Sequence, residues 1–545
     1  MGLLVPLVFL SLLATSLYKL YQRLTRISIS HVPGPQSESF LLGNLPEYLQ
    51  SQAGEADFKW QAQFGDVVRL KALFGEDRLL ISDPKAIQYI YQTSGYNFAK
   101  QTERRELSRI ISGRGILWAE GDDHKRHRKV MLPGFSGSEA KAFSSLFSAT
   151  AAKLGEKWKD IILSTSEQSC VLDMPSWISR ATLNAIGEAA FDYDFGAMDE
   201  ADNALGKAYS NLLIDTFGRI TGPQIFIQNF LAYIPDGIRA PFFDHLPNKK
   251  LTHARSTAKL ATNVARELVS SKSQALLQGK GNKDIMSLLV KANASANKTA
   301  QLNEEELLAQ MRTLILAGHE TTANSLSWML FELARHPEIQ TRLRHEIRTM
   351  EQSRQARGET EFTPADYDAM PFLSAFLKES LRFHPVAIAT YRQATKDDVL
   401  PLSTPITTTS GEVINELPIP KGQKIITSIN GYNRRKDIFG EDAHTFNPER
   451  WLHSGGVKKS ASVGVMGNIM TFSGGIRACI GWRFAVVELQ AFLVELVGGF
   501  EFSLTPDAQK IRRESASVMV PTVEGEVEKG VQMPLRVRVA AMEDI

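Results

Sequence analysis

At 545 residues, with 43% hydrophobic and 22% charged side chains, the chain has an ordinary globular composition and enough length to bury a large core and enclose a cofactor. Its 62 basic and 60 acidic side chains leave a net charge of +2, so nothing in the overall balance points to nucleic acid. Two cysteines, Cys170 and Cys479, exclude a secreted disulfide framework and a four-cysteine zinc or iron–sulfur site within one chain.

Gly2 to Tyr18 carries no charge, and Lys19, Arg23 and Arg26 follow it. A cleaved signal peptide usually has its positive charge ahead of the apolar run. The order here predicts an uncleaved membrane anchor over residues 1–22, with the body cytosolic by the positive-inside tendency. Ala14 and Ser16 leave a cleavage site as the other reading. Residues 23–40 form a basic linker in which His31-Val32-Pro33-Gly34-Pro35 breaks any helix. Residues 41–545 read as one catalytic domain.

Within that domain, Phe58 to Ile81 is expected to form short strands and Pro84 to Pro385 to be mainly helical. The clearest helix begins at Asn303, where Asn303-Glu304-Glu305-Glu306 makes a capping box, and ends near Ala334 ahead of Pro337. Its length of about thirty residues suggests a helix crossing the whole molecule. Just before it, Lys291 to Thr299 reads as a solvated loop. Its two glycosylation sequons, at Asn293 and Asn297, are unused if the body is cytosolic. Strands return between Ile388 and Ile429 around the turn Pro420-Lys421-Gly422.

The segment Phe472-Ser473-Gly474-Gly475-Ile476-Arg477-Ala478-Cys479-Ile480-Gly481 carries the chemistry. Its glycines let the backbone turn tightly and aim N–H groups at sulfur. The apolar helix expected from Trp482 places Cys479 near a helix N-terminus, where a thiolate is favoured. In Phe472, Gly475, Arg477, Cys479 and Gly481 this segment resembles the haem-binding loop of the cytochrome P450 family. The resemblance implies haem b with the Cys479 thiolate as axial iron ligand, Arg477 on a propionate and Phe472 beneath the ring. A buried core cysteine in a glycine turn is the plainer reading.

Further motifs follow the family's order. Ala317-Gly318-His319-Glu320-Thr321-Thr322 is similar to its oxygen-activation motif. There Gly318 would let the helix approach a flat cofactor, Thr321 would hydrogen-bond oxygen and Glu320 would relay protons. Glu379 and Arg382 match the family's Glu-x-x-Arg helix. With Arg450 in Phe446-Asn447-Pro448-Glu449-Arg450-Trp451, the resemblance implies a buried network that supports the haem loop. His124-Lys125-Arg126-His127-Arg128-Lys129 looks like the propionate-binding helix. His124 stands where many relatives carry Trp, and Arg128 and Arg392 are further propionate candidates. Lys125, Arg126 and Lys129 are expected to point outward as a cationic face for an electron donor, or simply as a solvated charge run.

The fold implied is mainly α with smaller β-sheets, a long central helix over the haem and an N-terminal transmembrane anchor, in the membrane-anchored, fungal-looking branch of the family. The activity implied is insertion of one oxygen atom from O2 into a lipophilic small molecule (a terpenoid, an aromatic hydrocarbon or another secondary metabolite). Electrons would come from NADPH through an NADPH–cytochrome P450 reductase, with cytochrome b5 as a further donor. About sixty residues after Gly481 are too few for a fused flavin domain. The location implied is the endoplasmic reticulum membrane, single-pass. Substrate contacts are expected from the loop before His124, from Phe217 to Phe243, and from Val386 to Thr390. The middle region reads equally as a membrane-dipping entrance or as core. A haem-thiolate isomerase or dehydratase, and a non-catalytic haem sensor, are the alternative activities.

Overall fold

The structure is a computed structural model that describes residues 27–541, apart from 200–202, 219, 246–247, 278–283, 296, 298 and 459–461. The expected anchor at 1–22 and the first residues of the linker lie outside the described residues. No helix among the described residues is long and apolar enough to cross a membrane.

The expectation of strands from Phe58 is corrected. Ala56 and Trp60, four residues apart, are both buried on one face of a helix over Glu55–Phe64, which ends at Gly65 with φ +83°. Strands begin only at β1 (Val67–Lys71), which pairs antiparallel with β2 (Asp77–Ile81). With β3 (Phe98–Lys100), β4 (Ala389–Ala394) and β5 (Lys424–Ser428) they form one sheet in the order β1-β2-β5-β4-β3. β4 lies antiparallel to β3 in a register that sets Arg392 directly opposite Lys100. Smaller sheets of two and three strands complete the β structure, and helices make up most of the remainder.

Eight helices shape the site: α1 (Thr102–Ser112), α2 (Gly121–Met131), α3 (Met174–Phe191), α4 (Ala204–Tyr209), α5 (Gly222–Phe230), α6 (Glu304–Arg335), α7 (Pro371–Phe383) and α8 (Trp482–Gly499). The longest, α6, has 32 residues and runs through the core, buried along most of its length. Its capping box is formed: Glu306 N–H donates to Asn303 Oδ1 at 2.9 Å and Asn303 N–H to Glu306 Oε2 at 3.0 Å.

Arg126 does not point outward. Its guanidinium takes both Glu306 oxygens, at 2.8 and 2.6 Å, while His127 Nε2 donates to Oε1 at 3.2 Å. The paired arginine holds the Glu306 carboxyl at about 2 and fastens α2 to the start of α6. The solvated loop expected at Lys291 is also corrected. A helix continues through Ile285–Ser295, and the Asn293 amide is held by Leu302, accepting from its N–H at 2.6 Å and donating to its carbonyl at 3.0 Å.

Glu379 and Arg382 of α7 are both fully buried. Arg382 grips Glu379 with Nε at 2.9 Å and Nη2 at 2.7 Å, and Arg450 Nε reaches both carboxylate oxygens at 3.1 Å. Asn447 N–H and Trp451 Nε1 also donate to Glu379, at 2.7 and 2.9 Å. These donors hold the carboxyl below its ordinary range against the opposing effect of burial. Spare arginine N–H groups reach the carbonyls of Asn433, Ala443 and Thr445. Glu379→Gln leaves two buried guanidiniums without their counter-charge. It is expected to lower unfolding free energy by about 3–5 kcal/mol in denaturant titration, whereas an exposed control such as Glu441→Gln changes it by less than about 0.5 kcal/mol.

Candidate functional site

The loop from Phe472 to Gly481 is closed by a hydrogen bond from Cys479 N–H to the Phe472 carbonyl at 2.8 Å. Ser473 and Gly475 both take left-handed φ, 59° and 62°. A Cβ on Gly475 would stand 2.0 Å from the Tyr91 carbonyl oxygen, and one on Gly474 2.0 Å from that of Val463. Gly481 is different: a Cβ there meets only Phe135, at 3.5 Å, so its contribution lies in its backbone N–H, which donates to the Cys479 sulfur. Burial pushes the Cys479 thiol up, while that N–H and the nearby Arg128 guanidinium act the other way. Cys479 is nonetheless exposed, although protein surrounds it, so its sulfur borders an internal void. Phe472 in the same loop is half-buried. Cys170 lies in the edge strand Ser169–Asp173.

Positive charge accumulates beside this loop. Arg477 donates to the Gly95 carbonyl at 2.6 Å and pairs with Glu120, leaving its buried Nε without an acceptor. Arg128 Nη1 donates to the Ala478 carbonyl at 2.8 Å. His124 is buried, with Nδ1 3.0 Å from the Tyr96 hydroxyl, and burial takes its imidazole down to about 3 with Lys100, Arg477 and Arg128 adding to the effect. Arg392 is buried opposite Lys100, an arrangement of like charges that is unfavourable by itself. Burial pulls the Lys100 amine down to about 7. Glu120 opposes this shift, and Arg392 and Arg477 add to it. Around one carboxylate, then, the sheet edge and α2 gather more cationic groups than it can neutralise.

The central helix, α6, presents Ala317 and Thr321. Ala317 is exposed and Thr321 half-buried, on a helix otherwise mostly buried, so this face too opens on internal space. The Thr321 hydroxyl donates to the Ala317 carbonyl at 2.7 Å. The reading of Gly318 is corrected: a Cβ there would meet Ile186 of α3 at 2.6–2.7 Å, so the glycine serves close helix packing. Nor is Glu320 brought alongside Thr321. It lines a separate polar cavity of about 560 Å³ between α3, α4 and the C-terminal segment.

The model of the family described as Cytochrome P450 matches residues 33–528. The chain is 34% identical over 549 residues to "Cytochrome P450 monooxygenase claQ" of Ampulloclitocybe clavipes, covering 98% of this chain and 97% of that one. It is 31% identical over 542 residues to "Cytochrome P450 monooxygenase 205" of Postia placenta, covering 96% of each. "Ganoderic acid synthetase CYP5150L8" of Ganoderma lucidum is 32% identical over 518 residues, covering 92% of this chain and 93% of its own. The chain belongs to the cytochrome P450 family.

Cytochromes P450 bind haem iron through a cysteine thiolate, and members of this kind are monooxygenases, hence oxidoreductases. The residues present fit that group. Haem carries two carboxylates. Arg477 Nε is a buried donor without an acceptor, and Lys100 and Arg392 are like charges set opposite each other with only Glu120, among the described residues, as a nearby counter-charge to Lys100. The accessible sulfur of Cys479 supplies the thiolate.

The P450 cavity nearest these cations has a volume of about 350 Å³. Lys100 and Arg392 stand in its wall, with Ile111, Phe217, Leu316 and Ile388 among its apolar lining. All three segments expected to contact substrate have residues in this lining, two of them represented by Phe217 and by Ile388 to Thr390. Leu117 adds the loop before His124, and α1 and Ser515 add contacts that sequence reasoning missed. By contrast Ile227, Phe230 and Tyr233 are exposed at the surface, where Tyr233 and Phe226 meet Phe74 edge-on at 6.0 Å.

Sequence reasoning also missed Lys100, whose place depends on the β3–β4 register, and Asp442, which takes Arg450 Nη1 at 2.8 Å. Glu488 of α8 was missed as well. Burial raises its carboxyl well above the ordinary value, and it accepts from Thr322 of α6 at 3.2 Å, linking the cysteine helix to the central helix. The glycines give a direct test. Gly475→Ala is expected to lower Tm by several degrees or prevent folding, whereas Gly481→Ala shifts Tm by less than about 2 °C. Thermal scans of the two variants beside the parent check this, and equal shifts would contradict it.

Proposed function

We propose that this P450 is a haem-thiolate monooxygenase acting on a lipophilic small molecule, and that the Cys479 thiolate would hold the haem iron. The observation that carries the reading is accessible surface on two elements set within the protein. Cys479 is exposed though surrounded by protein, Ala317 is exposed on a mostly buried helix, and Leu316 beside it lines the cavity walled by Lys100 and Arg392. When bound, the haem supplies activation of O2, with one oxygen atom entering the substrate and the other leaving as water.

The chain's own residues have distinct tasks in this reading. Gly481 N–H and Arg128 stabilise negative charge on the sulfur. Arg477, Arg392, His124 and Arg128 hold the haem carboxylates, with Lys100 as a further donor. Phe472, half-buried in the same loop, would supply an apolar contact to the haem. Gly475 fixes the turn against Tyr91. Glu379, Arg382 and Arg450 keep the carbonyls around this loop in place without touching substrate. Thr321 releases the Ala317 carbonyl to donate its hydroxyl proton, and recovers a proton through Glu320.

Two electrons reach the site from NADPH through a cytochrome P450 reductase, with cytochrome b5 as a further donor. The exposed Lys125 and Lys129 on α2 support a docking face for an acidic donor. Residues 1–22 anchor the chain in the endoplasmic reticulum with the body cytosolic. The exposed Phe40, Leu41, Phe230 and Tyr233 support a face resting on lipid. The apolar lining and the fungal relatives, one of them named for ganoderic acid synthesis, support a lipophilic secondary metabolite (a terpenoid or an aromatic hydrocarbon) as substrate.

Expression with a reductase, followed by untargeted metabolite comparison under 18O2, tests the class of reaction. A product carrying one heavy oxygen is expected, and an unlabelled isomer would contradict it. Thr321→Ala is expected to keep NADPH oxidation while the share of electrons recovered in product falls about tenfold or more and peroxide rises. No change in either would sink the role of Thr321.

A further inference from the structure

Beyond Thr321 and Glu320, the adjoining His319 of α6 has a buried proton-accepting atom without a hydrogen-bond partner and no assigned task. His319 is 1% exposed, its ring edge-on to Tyr209 at 5.3 Å. Its Nδ1 lies 2.7 Å from the Ile315 carbonyl, which can only accept, so Nδ1 carries the hydrogen of the neutral ring. Nε2 is thereby left with a lone pair and has no hydrogen-bond partner. Its nearest charged neighbour is Glu320 Oε1 at 3.6 Å, a gap that one water or a small ring rotation closes.

Asn324, one turn further along α6, completes the group. Its Nδ2 donates to the Glu320 carbonyl at 2.8 Å, which fixes the amide and leaves Oδ1 buried without a donor. His319, Glu320 and Asn324 all line the polar cavity of about 560 Å³. Two unsatisfied acceptors, His319 Nε2 and Asn324 Oδ1, beside the Glu320 carboxyl in a cavity of this size call for hydrogen-rich guests, namely water and the protons it carries. The charged and titratable groups facing the pair are Asp173 and Arg180 beside α3, Lys207 and Tyr209 of α4, Lys529 of the C-terminal segment, and Arg312 of α6 through Tyr209.

We propose that His319 is the proton-loading residue of this enzyme, taking protons from water in this cavity and passing them to Glu320. The proposal rests on the reading that Glu320 feeds Thr321. A hydrated proton entering between α3 and α4 binds the Nε2 lone pair and leaves its carrier as water. The Nε2–H bond then breaks as an O–H bond forms on Glu320, restoring a neutral ring beside a neutral acid. No electrons move. The arrangement also explains why Glu320 faces away from Thr321's cavity: it stands between a proton source on one side of α6 and the reacting side on the other.

The holoenzyme, reconstituted with reductase and without added substrate, provides the test. His319→Gln keeps an amide donor for the Ile315 carbonyl but carries no proton. It is expected to raise the fraction of NADPH electrons released as peroxide about threefold or more, and to remove the pH dependence of that fraction, with haem content unchanged. If Glu320→Gln raises peroxide and His319→Gln does not, His319 only packs and the proposal falls while the Glu320 reading stands. If neither does, the Glu320 reading itself falls.

A second measurement needs no turnover and no His319 variant. Diethyl pyrocarbonate acylates a neutral imidazole at a free nitrogen, followed by peptide mass spectrometry on the full chain. His319 is expected to be modified through the cavity. Absence of labelling at every pH while the exposed His453 reacts would overturn the proposal.

Discussion

The Glu379 carboxylate sits out of contact with water between the guanidiniums of Arg382 and Arg450, and the positions of several other segments follow from that balance. One buried carboxylate facing two arginines is tolerable only if the remaining N–H groups find acceptors. They find them in the carbonyls of Asn433, Ala443 and Thr445 and in Asp442. Asn433 then carries the constraint onward: its amide donates to Thr471 Oγ1 at 3.0 Å and accepts from Met470 N–H at 2.8 Å, immediately ahead of the cysteine loop. Thr471 in turn donates to the Leu381 carbonyl of α7 at 2.6 Å. The loop holding Cys479 is thus built on α7 through hydrogen bonds that leave the sulfur free.

On that base the two sides of the site are built with opposite electrostatics. The cysteine loop, β3 and β4 collect cations in excess, a distribution that is unfavourable until an anionic group joins it. The face of α6 carries only small and hydroxylic side chains toward the interior, Ala317 and Thr321, and keeps its acid and its histidine on another face. Glu488, its carboxyl raised by burial, accepts from Thr322, so the helix that follows Cys479 and the helix that presents Thr321 are joined directly. A displacement at either end is therefore felt at the other.

What could be read from the sequence was largely what local chemistry decides. The Asn303–Glu306 capping box needs only residues three apart, and the turn at Gly475 needs only its own φ. Positions that depend on distant partners were not legible. Arg126 turns inward because Glu306 arrives from the far end of the helical region. Lys100 joins the cation group only through the β3–β4 register, which no short pattern encodes. The helix over Glu55–Phe64 was hidden because its apolar residues suit either period in so short a stretch. Which side of α6 Glu320 serves was not legible from the motif: adjacent residues on an α-helix lie about 100° apart, and Glu320 lines the cavity beside α3 and α4. Gly318 was misread for a related reason, since which neighbour a bare backbone approaches is a property of packing, and Ile186 comes from another helix.

The central claim is that the Cys479 sulfur, and no other atom of the chain, is the haem ligand. The most direct measurement is haem content and the ferrous carbon monoxide spectrum of the purified full chain, compared with Cys479→Ala and Cys170→Ala. The account predicts a thiolate-type spectrum and one haem per chain in the parent and in Cys170→Ala, with the thiolate signature absent from Cys479→Ala. A thiolate spectrum that survives in Cys479→Ala, or that disappears in Cys170→Ala alone, would contradict it.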